Sequence, residues 1–483
     1  MEASKKHHFL YDELAAIVGT KFVTDEEFAL WSVSHDSSPF PGKTSGIIVL
    51  PGTVEEVSEI LKLANITKTP VIPRGGGASL FGFPTGVPGR NIVVQLTRLN
   101  KLIEINKENM TVTAQAGITT GELSAKIWKE GFHIHTVHTP LYSDTIGGLL
   151  AGAGGGGFPM EAASAGCIWQ YVLGFEVVLP DGSIIKTGAG SGTNIFREKT
   201  FDRVFSAPDM TGMFIGDGGL FGIKTEVTMQ IVPRPDVIET GGFIFERMED
   251  LWGSTSSLMN IEPLPYSRIY GIGPEGFNAR TGRSGNEWAL LYGVLGYSRE
   301  EVGYKNELIK KTCKKFGGKS LPDGYKEILT DLGQIDPKSH REMGKRSSMG
   351  MWAFMEEFAS KEGFLEYYKT TREYTDNVFK EERLAEYGCK RFDLIIPFGH
   401  TSVYVGNNIF YDQGRPELRE KLLKVVKEHT EFVTKLGASM DVHQGFAAEV
   451  MASYWSPTFY NFMHVIKRAI DPNNILCPGL WKL

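Results

Sequence analysis

Proton transfer near neutral pH falls most easily to histidine, and two of the eleven histidines stand in informative company. His400 opens Gly399-His-Thr-Ser-Val-Tyr404; in a strand beginning at His400, residues His400, Ser402 and Tyr404 share one face. His443 lies in Met440-Asp-Val-His-Gln-Gly445, with Asp441 two residues away to orient its ring. Arg391, at the start of the preceding apolar strand, is the candidate for pairing a substrate carboxylate. A different chemistry is written in Arg74-Gly75-Gly76-Gly77-Ala78-Ser79. A glycine run leaving a strand lets consecutive N–H groups converge on an anion, because no Cβ blocks the approach. Arg74 adds charge there and Ser79 a hydroxyl donor.

These residues need elements to hold them. Gly46-Ile-Ile-Val-Leu50 reads as a strand, and Thr53-Val-Glu-Glu56 as a capping box for a helix with the stripe Val54, Val57, Leu61, Ala64. The next strand, Pro70-Val-Ile-Pro73, runs straight into the glycine run. Residues 91–117 hold three short strands, and Thr119-Thr-Gly-Glu122 caps another helix. Two further glycine-rich stretches follow, Ile146 to Gly157 and Gly216-Asp-Gly-Gly-Leu-Phe-Gly-Ile-Lys-Thr-Glu226. Gly152-Ala-Gly-Gly-Gly-Gly157 satisfies a dinucleotide fingerprint, but Phe158-Pro159 interrupts the long helix that such a motif must open. Beyond residue 237 the strands Glu287–Val294, Phe392–Pro397 and Ser402–Tyr411 alternate with helices Glu300–Phe316 and Pro416–Leu436, which suits an antiparallel sheet covered by helices.

Composition narrows the classes. The 483 residues are 41% hydrophobic and 22% charged, enough for two or three domains with buried cores. A net charge of -6 supplies no basic field for nucleic acid or an anionic membrane. No apolar run approaches the roughly 18 residues of a membrane span, and no secretory signal opens the chain, so a cytoplasmic location is expected. Cys167, Cys313, Cys389 and Cys477 lie far apart, which argues against an iron–sulfur cluster, a zinc ribbon or a disulfide framework. Electrons, if they move here, need an organic cofactor. His133 and His135 share a strand face near His138, but no Cys, Asp or Glu completes a metal shell, and a polar loop is the better reading.

Arg74–Ser79, Thr145-Ile-Gly-Gly148, Gly174-Phe-Glu-Val-Val-Leu-Pro-Asp-Gly182 and Gly216–Glu226, in this order and spacing, resemble the FAD-binding domain of the FAD-linked oxidases of the vanillyl alcohol oxidase and para-cresol methylhydroxylase fold. This family also contains the flavin-linked D-2-hydroxy acid dehydrogenases. Phe462 to Gly479 resembles its closing segment. The resemblance implies an α+β, two-domain flavoprotein: an FAD-binding domain over 1–236, a cap with an antiparallel sheet over 237–436, and a segment 437–483 returning to the first domain. It implies FAD held non-covalently, since Ala78 stands where some members carry a tethering histidine, with a tether at His400 left open. Gly75–Ser79 would cradle the pyrophosphate. Thr139, Pro140, Thr145, Gly147, Gly148, Gly152, Gly155 and Gly156 would pass close to the flavin. Gly222 would lie beside them, and Ile223 near the adenine or ribose. His443 would be the base over the flavin, with His400 and Tyr404 positioning substrate.

Both familiar substrate machineries are incomplete. The metal site of the 2-hydroxy acid enzymes would need a histidine where Asn407 stands and a glutamate where Val442 stands, so no metal is expected. The phenolate site would need residues other than Phe81, Met440, Asp441 and Cys167. The expected activity is hydride abstraction from an alcohol, 2-hydroxy acid or benzylic carbon of a small molecule. A flavin subunit passing electrons to an acceptor protein stays open, as does homodimer formation. So does a non-redox enzyme of the alkylglycerone phosphate synthase type, although the consecutive cap histidines of that type are absent.

Overall fold

The computed structural model describes residues 7–483 except 37, 41, 43, 80, 81, 83–88, 135–141, 153–161, 191–199, 205, 206, 283, 323, 324, 326, 327, 330–350, 413 and 442–444. Two sheets build the amino-terminal half. In the first, strands Ile47–Val49, Ile92–Gln95 and Val71–Arg74 run parallel, with Val23–Thr24 antiparallel at one edge. Parallel neighbours require a crossover, and the helix Val54–Thr67 supplies it. Thr53 accepts from the Glu56 N–H as its cap, and Val57, Ile60, Leu61 and Ala64 are buried against the sheet. The second sheet is antiparallel, ordered Leu102–Asn106, Thr111–Gln115, Ile223–Gln230, Val172–Val178, Ile184–Lys186. Its inner face packs on the first through Val112, Val177 and Val227 with Ile48, Ile72 and Val93.

The cap is one antiparallel sheet of nine strands among the described residues. Its centre is the hairpin of Lys390–Phe398 and Ser402–Tyr411, paired without a register shift from Lys390↔Phe410 to Phe398↔Ser402. Glu356–Ser360 pairs along the other side of Ser402–Tyr411. Alternation sorts the side chains. One face meets the helices Met248–Leu258, Arg299–Lys315, Phe364–Glu381 and Pro416–Lys435. The other turns toward the first domain, where Gly399 N–H donates to the Ala163 carbonyl (3.0 Å) and Ser164 Oγ to the Ser267 carbonyl (2.9 Å).

The last forty residues close on the first domain. Val71 N–H donates to Ile475 O and Cys477 N–H to Val71 O, adding a bridge beside the first sheet. Lys467, buried in the helix Pro457–Ile470, donates to Asp471 and to the carbonyls of Leu220 and Leu476. A buried ammonium needs such a full set of acceptors. No helix of the described residues is long and apolar enough to cross a membrane.

Candidate active site

The glycine run after Val71–Arg74 lies against the turn that opens the short helix Ile146–Gly152. A Cβ on Gly75 would collide with Thr145 Oγ1, one on Gly76 with the Ser143 carbonyl oxygen, and one on Gly147 would come within 2.6 Å of Ala116 Cβ. Gly148 approaches in the same way: a Cβ there would stand 3.0 Å from Thr145 Oγ1, which accepts from the Gly148 N–H. Gly77 has φ +73, a backbone state that favours glycine. Two backbones therefore meet with no side chains between them, the close approach that a loop holding a pyrophosphate such as that of FAD would use.

Arg74 and Ser79 brace this loop. Arg74 Nη1 donates to Gln95 Oε1, Gln95 Nε2 donates to Gly75 O (2.6 Å), and the guanidinium lies where a Gly77 side chain would stand. Burial lowers the pKa of Arg74, and the nearby Asp36 charge partly restores it. Burial raises Asp36 in turn, against hydrogen bonds from Ser38, Gly82 and Ser79. Gly222 packs on Val177, and Ile223 pairs with Val178 and is buried at the start of its strand. Thr139, Pro140, Gly155 and Gly156 lie outside the described residues, while Gly152 ends the helix Ile146–Gly152 and is buried.

Across the domain boundary, the cap face turned to the first domain carries buried polar groups. Glu356 sits opposite Gly406, and Asn408 Nδ2 donates to Glu356 Oε1 (2.5 Å) while Asn408 Oδ1 accepts from the Met355 N–H. Tyr404, two residues back on the same face, is fully buried between Phe358 and Ile396. Glu356 Oε2 and the Tyr404 hydroxyl have no partner among the described residues. Asp441 follows the edge strand Ser439–Met440, its N–H donating to Glu356 O. Burial, reinforced by the charge of Asp441, holds the Glu356 carboxyl well above the usual carboxylate range, even with the Asn408 hydrogen bond opposing. Cys167 reaches the same place from the first domain, just ahead of the strand Val172–Val178; burial and the Asp441 charge push its thiol up.

The structure thus brings Tyr404 and Asp441 together and adds Glu356, Asn408 and Cys167, which the sequence reading either missed or noted only as a departure. It does not bring the other two described candidates there. His400 is not a strand residue: the strand begins at Ser402, and Gly399, at φ +54, puts His400 in the hairpin turn. Its Nδ1 lies 2.6 Å from Met259 O and its Nε2 2.7 Å from Glu262 Oε2. Arg391 pairs with Ile409 and so lies on the face opposite Tyr404, where it bonds Asp376 and Asp393, and Arg372 also bonds Asp393. Its charge is met by carboxylates of the chain. His443 lies outside the described residues.

A glycine-lined close approach in one domain and a buried acid, amide and phenol on the inner face of the other suit a flavin-dependent oxidoreductase. The family of FAD binding domains matches residues 46–188, and the family of FAD linked oxidases, C-terminal domain, matches residues 271–480. The chain belongs to the FAD-linked oxidases, and FAD is its cofactor. Glycolate oxidase subunit GlcD of Bacillus subtilis is 24% identical, the match covering 97% of this chain and 95% of that one. D-lactate dehydrogenase of Anaerostipes hadrus is 25% identical over 92% and 91%. Among solved structures, 4-ethylphenol oxidase from Gulosibacter chungangensis superposes with a TM-score of 0.79 at 18% identity, covering 98% of this chain and 96% of that one; this likeness shows the fold.

Proposed function

We propose that the chain oxidises a CH–OH carbon of a small molecule to a carbonyl. The observation that carries this reading is the pair of fully buried groups on one sheet face, Glu356 Oε2 and the Tyr404 hydroxyl, that have no partner among the described residues. Unmet polar atoms in a dry interior are costly unless a ligand completes them. FAD, when bound, takes the hydride and its two electrons. The chain's own residues do the rest. The Tyr404 hydroxyl donates to the substrate oxygen and orients it, and Glu356 accepts the hydroxyl proton. A carboxylate whose acid form is favoured by burial is a stronger base once ionised, which suits it to that step. Asn408 holds Glu356 in place. His443 stays a second candidate base from its position in the sequence, and His400, with both ring nitrogens engaged, steadies the hairpin turn instead. A protein electron acceptor is compatible with this chemistry, and the naming of the Bacillus subtilis relative as a subunit supports it.

The test is anaerobic mixing of the FAD-loaded protein with primary and secondary alcohols while the flavin spectrum is followed. Bleaching by at least one alcohol, lost in Tyr404→Phe together with Glu356→Gln, is expected. Full FAD occupancy with no alcohol able to reduce it would overturn the reading.

A further inference from the structure

We propose that Lys467, in the closing segment of the chain, is a positioning residue for the cofactor: its ammonium clamps the glycine loop Gly216–Phe221 and so holds together the glycine cradle, the two backbones that approach at Gly75, Gly76, Gly147 and Gly148. This role concerns flavin retention, whichever carbon the flavin oxidises. Lys467 is 2% exposed and directs its three N–H donors to three acceptors, Asp471 Oδ2 (2.6 Å), Leu476 O (2.9 Å) and Leu220 O (3.0 Å). Two of these lie within nine residues of it and would suffice to close the end of its own helix. The third lies 247 residues away in the chain, on the glycine loop.

That loop touches both walls of the cradle. Toward the helix Ile146–Gly152, which carries Gly147 and Gly148, the N–H groups of Gly216 and Gly218 donate to the carbonyls of Leu150 (2.9 Å) and Ala151 (2.8 Å). Toward the strand Val71–Arg74, which leads into Gly75, Gly219 takes φ +84, and a Cβ there would stand 3.0 Å from Pro73 Cγ. Asp217, itself buried, fixes the turn between them: its Oδ1 accepts from the Gly219 N–H (3.1 Å) and from Lys224 Nζ (2.6 Å). The loop is a wedge resting on both walls, and Lys467 grips it at Leu220.

A second route ties the same ammonium to the strand. Asp471, its ion partner, accepts from the N–H groups of Ile475 (3.0 Å) and Leu476 (2.9 Å). Val71 N–H then donates to Ile475 O (2.7 Å) and Cys477 N–H to Val71 O (3.0 Å), while Cys477 Sγ lies 3.4 Å from Gly218 O and leads back to the loop. Burial lowers the Lys467 pKa, with the charge and hydrogen bond of Asp471 opposing. A buried ion pair is weak evidence for stability alone, because apolar side chains of similar volume commonly serve as well. A group that must hold carbonyls of two separate stretches and a carboxylate together cannot be apolar.

FAD release tests this role. The FAD-loaded protein is diluted while the rise of free-flavin fluorescence is followed, and the thermal midpoint is read with and without excess FAD. Lys467→Met, which keeps the aliphatic body but no donor, should release FAD at least about tenfold faster than wild type and lose most of the midpoint gain that excess FAD gives. Lys467→Gln, which keeps two N–H donors, should fall between. Gly219→Ala, which presses on Pro73 from the same loop, should also speed release, and adding it to Lys467→Met should change little further, because both act through one loop. A lower midpoint in Lys467→Met, equal with and without excess FAD and at an unchanged release rate, would make Lys467 a structural ion pair and overturn the proposal, as would full additivity with Gly219→Ala. Should Lys467→Met fail to fold, release from Lys467→Gln at the wild-type rate would overturn it. No substrate enters these measurements, so failure of the alcohol reading leaves them untouched.

Discussion

Gly406 lies directly beneath the Glu356 carboxylate: a Cβ on Gly406 would stand 3.2 Å from Glu356 Oε1, 3.0 Å from Asn408 Nδ2 and 3.3 Å from Leu394 Cβ. The missing side chain is what lets Glu356 reach across its neighbouring strand to Asn408. Gly406→Ala asks these groups to move by a few tenths of an ångström, whereas Gly406→Val drives both away from Tyr404. Displacing a reacting group by about 1 Å can cost about 100-fold in rate. Gly406→Val should therefore lose roughly that factor in flavin reduction, and Gly406→Ala much less. FAD content should be unchanged in both, because the cradle lies in the other domain.

Glu356 also sets a pH dependence. Its folded-state pKa is raised by burial and by Asp441, with Glu357 adding to the effect and Asn408 opposing it. Because the acid form is the one favoured by folding, its contribution to stability is full below the ordinary carboxylate range of about 4.3 and is lost as pH rises through the folded pKa. Glu356→Gln keeps the Asn408 hydrogen bond without the charge. Wild type and variant should melt alike near pH 4, and the variant should gain a few degrees on the wild type by about pH 8, as read by thermal scans. Reduction runs the other way: the rate should climb with pH as Glu356 ionises, and that limb should vanish in the variant.

The cofactor half was legible because its constraints are local. Glycines that must admit two closely packed backbones announce themselves in sequence, and Thr53 and Thr119 cap the helices that their spacing predicted. The cap's chemistry is not local. Glu356 and Glu357 are adjacent and chemically alike, yet alternation sends the first toward Asn408 and the second under the helices, to Tyr367 and His429. Only the pairing with Gly406, fifty residues later, decides between them. The same holds for Arg391. Starting the strand at His400 misplaces the turn, and without the Ile396↔Tyr404 register the two faces cannot be assigned.

The cradle makes its own prediction. The Cβ of Gly76→Ala would run into the Ser143 carbonyl oxygen, and backbone cannot yield as a flexible side chain can. The loop and the turn before Ile146–Gly152 must separate, which removes the shared donor surface while leaving both sheets intact. FAD affinity should fall at least tenfold, about 1.4 kcal/mol. The purified variant should show a low flavin-to-protein absorbance ratio, with circular dichroism close to wild type.

Asp393 and Arg391 separate a structural cation from a substrate-binding one. Asp393 is fully buried and bonds both Arg391 and Arg372, while Asp376, the second partner of Arg391, is half exposed. Removing Asp393 leaves Arg391 buried with half its pairing and strips Arg372 of its innermost acceptor. Losing one partner of a buried ion pair costs about 3–5 kcal/mol, so Asp393→Ala should lower the unfolding free energy read from a urea titration by about that much. In Arg391→Met the aliphatic body is preserved, Asp376 turns to water and Asp393 keeps Arg372, so the loss should be smaller. Burial and the neighbouring Arg372 already hold Arg391 down to about 10, so part of its charge is costly to keep. Neither variant should change the substrate concentration that half-saturates flavin reduction. An Arg391→Met protein of wild-type stability with a tenfold weaker response to substrate would instead return Arg391 to the substrate site.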